Sequence, residues 1–396
     1  MSGAPSAYAG RASAQPPGIS ASTRYFPEIE GLRGIAITLV IAYHAVRIFD
    51  PGSRWQPGVI VSPLSAFAYA GFTGVSLFFI LSAFLLSLPF LDTTPSEPIH
   101  HRRYYTRRAL RILPLYWTAV AVATVACARR PADLLRGLPY VFFLNGVRVT
   151  APLEPYSGVW WSLATEVQSY LALPLLGLLA GRGALRAGAS LVLAIVGVAY
   201  IAFITHHLHV NDLAGQLLLS DSLVGRAPLF AAGILLAWIH SRFGSRWRLR
   251  WARVTWLAHG GADVLLAVTL GAFGYLLRHF VFAGYFHVQC AQPAWLFLEA
   301  VAWGAVVLLL LVAPLRTRWL WSNRVWQRLG ILSYSLYLVH LPLVVWIAHL
   351  LGGRAGTLGW SLGGGVLLTL FSIALSNATY RVVERPFLVR KVTLGR

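Results

Sequence analysis

Residues 31–45 read GLRGIAITLVIAYHA. The stretch is apolar enough to enter a bilayer, yet it holds Arg33 at one end and His44 deep inside. It opens the run 32–49, and a helix needs about 20 such residues to cross the hydrocarbon core. Comparable runs follow at 68–90, 110–127, 160–180, 187–205, 222–240, 261–277, 294–314, 329–350 and 357–377. Hydrophobic residues make up 57% of the 396 and charged residues only 12%, with a mean hydropathy of +0.65. So little charge does not suit a soluble domain. The sequence predicts an all-α, polytopic membrane protein of about ten transmembrane helices, and fifteen Trp and sixteen Tyr suit its two interfacial belts.

Charge placement predicts the orientation. With the N-terminus in the cytoplasm, 24 of the 33 Lys and Arg fall in inside segments and 7 in outside loops. That asymmetry predicts both termini cytoplasmic, with loop 128–159 and its four arginines as the exception. The net charge of +20 is therefore a topology signal, and no nucleic-acid partner is expected. Residues 1–23, rich in Ala, Ser, Gly and Pro, read as a disordered tail. Residues 24–390 form the membrane domain, and 391–396 a short C-terminal tail. Segment 132–146 is too short and broken for a span and reads as re-entrant or interfacial. Cys127 and Cys290 make no metal or disulfide pattern. Neither a metal nor a cofactor is expected. The three His of 205–212 are too loosely spaced for ligands. The expected location is the cell membrane, as a multi-pass protein in a bacterial plasma membrane, with membrane lipids as partners. Oligomeric state is not legible.

Four clusters carry chemistry. Arg33 and His44 are eleven residues apart, about three turns, so one helix face holds both with a rise of roughly 16 Å. Ionisable groups inside a span face the protein interior or a water-filled cavity. Arg107, Arg108 and Arg111, within HHRRYYTRRALRILPLYW (100–117), share a face if the helix starts early. They are either topology and lipid-binding arginines or a guanidinium cradle for phosphates. Glu166 follows Trp160, Trp161 and Ser162, as at a pocket rim, and is a candidate to orient an imidazole or bind a hydroxyl. The alternative is an interfacial carboxylate. Ser333, Tyr334, Tyr337 and His340 form one stripe, with His340 read as structural. Arg226 is a further charge inside a span, expected to pair with a carboxylate or a ligand.

Together EGLRGIAITLVIAYHA, GVSLFFILSAFLL, RRALRILPLYW, WSLATE, LGILSYSLYLVHLP and VERPF resemble the acyltransferase-3 family of integral membrane O-acyltransferases. The motifs run in family order from residue 30 to 387. The resemblance implies an acyl-CoA co-substrate bound from the cytoplasmic side and transfer to a hydroxyl, usually on a sugar. The acceptor is then a glycosylated natural product such as a macrolide, or a glycan. It implies Arg33 and His44 as the first-span pair, Arg107, Arg108 and Arg111 as the basic motif, and Trp161, Ser162 and Glu166 as the tryptophan-serine motif. His44 is the expected general base, with Glu166 as its catalytic partner offsetting the burial of the imidazole. Arg33, Arg107, Arg108, Arg111, Trp161, Ser162, Arg226 and Tyr334 are the expected substrate- and acyl-CoA-binding set. Glu30 stands where the family often has Asp, and the resemblance is to the family's stand-alone branch, for which no soluble hydrolase-like C-terminal domain is expected. The rival class is a proton-coupled transporter or flippase of a glycoside or lipid-linked sugar, which also needs buried His, Arg and Glu.

Overall fold

The computed structural model describes residues 25–49, 68–91, 101–145, 152–174, 221–282, 291–351 and 358–393. Among the described residues all regular structure is helical. The long helices are α1 (Pro27–Phe49), α2 (Thr73–Leu91), α3 (His101–Cys127), α4 (161–174), α5 (Ala227–Arg253), α6 (Ala262–Leu276), α7 (Ala291–Val312), α8 (Arg324–Leu351) and α9 (Leu358–Thr379). A π-turn at Tyr380–Glu384 leads into α10 (Arg385–Thr393). Seven helical segments among the described residues are long and apolar enough to cross a membrane. The predicted span 187–205, the His-bearing loop 205–212, Cys290 and the tail 1–23 lie outside the described residues.

α1 starts on Pro27, where a missing N–H costs nothing, and carries Glu28 and Glu30 in its first turn and Arg47 in its last, as the helix dipole favours. α2 is apolar all round, and Leu77, Phe79, Ile80 and Phe84 are buried in it, the pattern of a central helix.

Three boundaries differ from the sequence reading. α3 begins at His101 rather than 110, so the arginines of 102–111 are helical. α5 continues to Arg253, so the basic segment 242–253 is a helical extension and not a loop. α10 reaches Thr393, past the predicted start of the tail. Segment 132–146 is broken as expected, into a 3-10 turn at Pro131–Gly137 and one α-turn at Leu138–Val141. Asp133 anchors it, accepting the backbone N–H groups of Arg129 and Arg130 at 3.0 Å each. Those two donors hold its carboxyl below the ordinary carboxylate range.

Contacts give the helix directions. Along α1 and α8 the pairs advance together, from Gly34 against Trp326 to His44 against His340, so the two run parallel. α2 returns antiparallel to α1, with Gly74 against Ala36 and Gly71 against Leu39. α4 and α5 both run with α2, through the pairs Phe79–Trp161 and Phe79–Phe230 and then Ser82–Glu166 and Phe84–His240. Each direction is the one the ten-span reading requires at that position.

Between the π-turn Leu257–Gly261 and α7, Asp263 ties two elements together. It accepts the backbone N–H of Arg316 at 3.1 Å and that of Thr317 at 2.9 Å, and the Thr317 hydroxyl at 2.5 Å. Asp263→Ala strips a charged acceptor from three donors. The expected cost is about 1–3 kcal/mol, read as a lowered thermal midpoint of the detergent-solubilised protein.

Candidate active site

Five helices enclose a cavity with an empty volume of ≈ 770 Å³, part of it open to the outside. α1 contributes Arg33, α3 Arg108 and Arg111, α4 Ser162, Glu166 and Tyr170, and α8 Ser333, Tyr334 and Tyr337. α2 supplies an apolar wall, from Val75 to Leu86, broken by Ser82. The polar groups lie toward the end of the bundle where α1, α3 and α8 begin.

Each charge is held locally. The Arg33 guanidinium donates to Ser333 Oγ at 3.0 Å and lies 3.8 Å from Glu30, one turn back on its own helix. Arg108 lies over the rings of Tyr104 and Tyr170, at 5.7 and 5.9 Å. Its Nε is buried with no hydrogen-bond partner among the described residues. Glu166 accepts hydrogen bonds from the Ser82 hydroxyl and, at 2.5 Å, from the Tyr170 hydroxyl. Three guanidiniums therefore face one carboxylate. A buried guanidinium donor left open beside a cavity is suited to an anion with several oxygens.

His44 is not part of this lining. It sits eleven residues on from Arg33 along α1, roughly 16 Å at 1.5 Å per residue, toward the far end at Phe49. Its Nδ1 lies 2.9 Å from the Val40 carbonyl oxygen. A carbonyl only accepts, so Nδ1 carries the hydrogen and Nε2 of the neutral ring keeps its lone pair. The ring meets Tyr43 at 5.1 Å and His340 at 5.0 Å between centroids. His340 in turn meets Tyr337, at 5.6 Å, and Tyr337 lines the cavity. Tyr337, with Phe78 6.4 Å from its ring, therefore stands between the arginine cavity and His340.

The geometry regroups the expected site residues. Arg33, Arg108, Arg111, Ser162, Glu166 and Tyr334 converge on the cavity. Arg107 does not line it; its Nε is buried without a partner among the described residues. Trp161 and Arg226 lie elsewhere too, with the Arg226 guanidinium 5.2 Å over the Trp161 ring and 3.4 Å from Ser76 Oγ. Glu299, fully buried on α7, lies within electrostatic reach of Arg226. Glu166 is held by Ser82 and Tyr170 rather than by His44. Tyr334 donates to the Ile112 carbonyl at 2.7 Å, and Tyr337 to that of Val159 at 2.8 Å.

Sequence reasoning missed Ser82, Tyr170 and Glu299. Ser82 and Glu299 could have been found as polar residues interrupting apolar runs. Tyr170 lies four residues after Glu166, the spacing of facing side chains on a helix.

Comparison with known proteins gives this geometry a setting. A family model described as an acyltransferase domain matches residues 26–377, which covers α1 through most of α9. The chain belongs to the acyltransferase-3 family. BcsY of Komagataeibacter xylinus, named as a membrane-bound transacylase, is 26% identical over 373 residues, 90% of this chain and 82% of that protein. Nodulation protein 10 of Rhizobium leguminosarum bv. viciae is 26% identical over 347 residues, 81% of this chain and 83% of its own length. The peptidoglycan O-acetyltransferase OatA of Listeria monocytogenes matches at 26% over 172 residues, 39% of this chain and 24% of OatA. No solved structure matches. The chain is thus a multi-pass membrane protein of a family with O-acyltransferase members.

Proposed function

We propose that this acyltransferase moves an acyl group from acyl-CoA to a hydroxyl of a sugar, carried by a glycosylated natural product or a glycan. The observation that carries the reading is the layout along α1. Arg33 opens into a cavity with two more arginines, and His44 lies on the same helix face roughly 16 Å further on. That offset suits a donor whose phosphates bind at one place while its thioester reacts at another. The clustered arginines support a cytoplasmic arginine end, where acyl-CoA is made. The sugar acceptor draws on the similarity to OatA, a peptidoglycan O-acetyltransferase.

In this reading Arg108 and Arg111 bind CoA phosphates, with Arg33 beside them. The pantetheine arm runs along the apolar wall of α2 and past Phe78 and Tyr337. At His44 the Val40 carbonyl fixes Nδ1–H, so Nε2 takes the proton of the acceptor hydroxyl. The oxygen attacks the thioester carbonyl and forms the ester C–O bond. The C–S bond breaks, and the thiolate leaves with the proton returned from Nε2, as CoA thiol. A thioester is already activated, so no acyl-protein intermediate is needed. Glu166 keeps Tyr170 and Ser82 in place under Arg108 and balances part of the cavity's charge.

Arg108→Ala and Arg111→Ala test the donor site. Each is expected to raise the KM for acyl-CoA by about 10-fold or more, the worth of a charge-assisted hydrogen bond, with a much smaller change in kcat. Unchanged KM in both variants would remove the phosphate-binding assignment.

A further inference from the structure

His340 lies outside the cavity, on α8, and is fully buried. Its Nδ1 lies 2.9 Å from the Tyr337 carbonyl oxygen and 3.1 Å from that of Leu336. Both are acceptors, so Nδ1 carries the hydrogen. Nε2 is then a lone pair, and it is buried with no hydrogen-bond partner among the described residues. An orphaned buried acceptor is destabilising, because it gives up its hydrogen bonds to water and gains none. A core that needed only volume there would be better served by leucine or phenylalanine.

The neighbouring ring is His44, with centroids 5.0 Å apart and planes at 65°. The two rings are thus in contact, without a hydrogen bond to His340 Nε2 among the described residues. We propose that His340 is a positioning residue for His44: a tautomer-locked imidazole that packs against the His44 ring and whose unpartnered Nε2 lone pair stabilises the imidazolium formed during transfer. The inference rests on the reading of His44 as the base. It deepens that reading by giving the reaction a second imidazole, contributed by the helix that runs parallel to α1.

The orphan then has an explanation. His340 Nε2 lacks a partner in the resting protein because the charge that engages it appears on His44 only when the acceptor proton has moved. The same logic sets the order along α8. Ser333 receives Arg33, Tyr337 closes the cavity, and His340, seven residues after Ser333, meets His44. One face of α8 thus follows α1 from the proposed phosphate site to the proposed base.

The test uses the full-length protein in nanodiscs, with acceptor-dependent thiol release from acetyl-CoA and a glycoside panel. His340→Leu removes the acceptor atom at similar volume, and His340→Gln restores an amide oxygen. His340→Leu is expected to lose about 100-fold in kcat, the scale of a misplaced catalytic group, with the acetyl-CoA KM within about threefold of wild type. His340→Gln is expected to recover most of that loss. If His340→Leu does not fold, His340→Met takes its place. Equal kcat in the Leu and Gln variants, or a Leu variant at wild-type kcat, would overturn the proposal. Wild-type turnover in His44→Ala would instead bring down the reading beneath it, so the two failures are separable.

Discussion

His44→Ala is expected to abolish acyl transfer while acyl-CoA still binds with its wild-type affinity. Those two results follow from the separation of the sites. The arginine cavity contains no atom of His44, so the donor's phosphate contacts are untouched by the substitution. The lost group is the only imidazole on α1, and its Nδ1–H is already committed to Val40, leaving Nε2 as the lone pair for an incoming hydroxyl. Loss of a positioned general base costs about 10²–10⁴ in rate. The measurement is kcat for thiol release beside a direct acyl-CoA titration of the same preparation. Activity surviving in His44→Ala would keep the family assignment and remove the base. A parallel loss of binding would mean that the two sites are one.

The second large effect is structural. At Gly34→Ala the new Cβ would lie 2.1 Å from the Trp326 carbonyl oxygen, and that oxygen belongs to the backbone of α8. Backbone cannot swing aside as a side chain does, so α1 and α8 must separate. Gly330 repeats the contact from the other side, with its own Cβ position 2.0 Å from the Glu30 carbonyl oxygen. Without a hydrophobic drive between helices in lipid, close approach at small residues supplies much of the association. Among the described residues this is the most extensive helix pairing, and it aligns both Arg33 with Ser333 and His44 with His340. Gly34→Ala is expected to destabilise by about 1–3 kcal/mol, and Gly34→Val to yield no monodisperse protein. Size-exclusion profiles and thermal midpoints in detergent report both. A Gly34→Val variant with wild-type stability would contradict this packing.

Much of the architecture was legible because bilayer thickness and loop charge are strong constraints. Apolar runs of span length mark the membrane helices, and the helix directions among the described residues follow the alternation that the loop charges predict. Boundaries were less legible. Arginine reads as a loop residue, yet α3 begins at His101 and α5 continues to Arg253 because long arginine side chains reach water from a helix. For the site, the eleven-residue spacing of Arg33 and His44 predicted a shared face correctly. It could not say that one residue opens into a cavity while the other meets a second imidazole. Glu166 shows the limit most clearly. Its position beside Trp161 and Ser162 marked it as functional, but its partners Ser82 and Tyr170 come from helix packing and local register. Ser82 in particular is 84 residues away, a contact that periodicity does not encode.

The most direct test of the central claim is free-thiol release by the purified protein in nanodiscs, from acetyl-, propionyl- and isovaleryl-CoA, with a panel of glycosides as acceptors and product mass as the readout. The account predicts thiol release that depends on the acceptor, with a glycoside heavier by the acyl group. A protein that binds no acyl-CoA, releases no thiol and carries an unmodified glycoside across the bilayer would contradict it and assign the buried charges to transport.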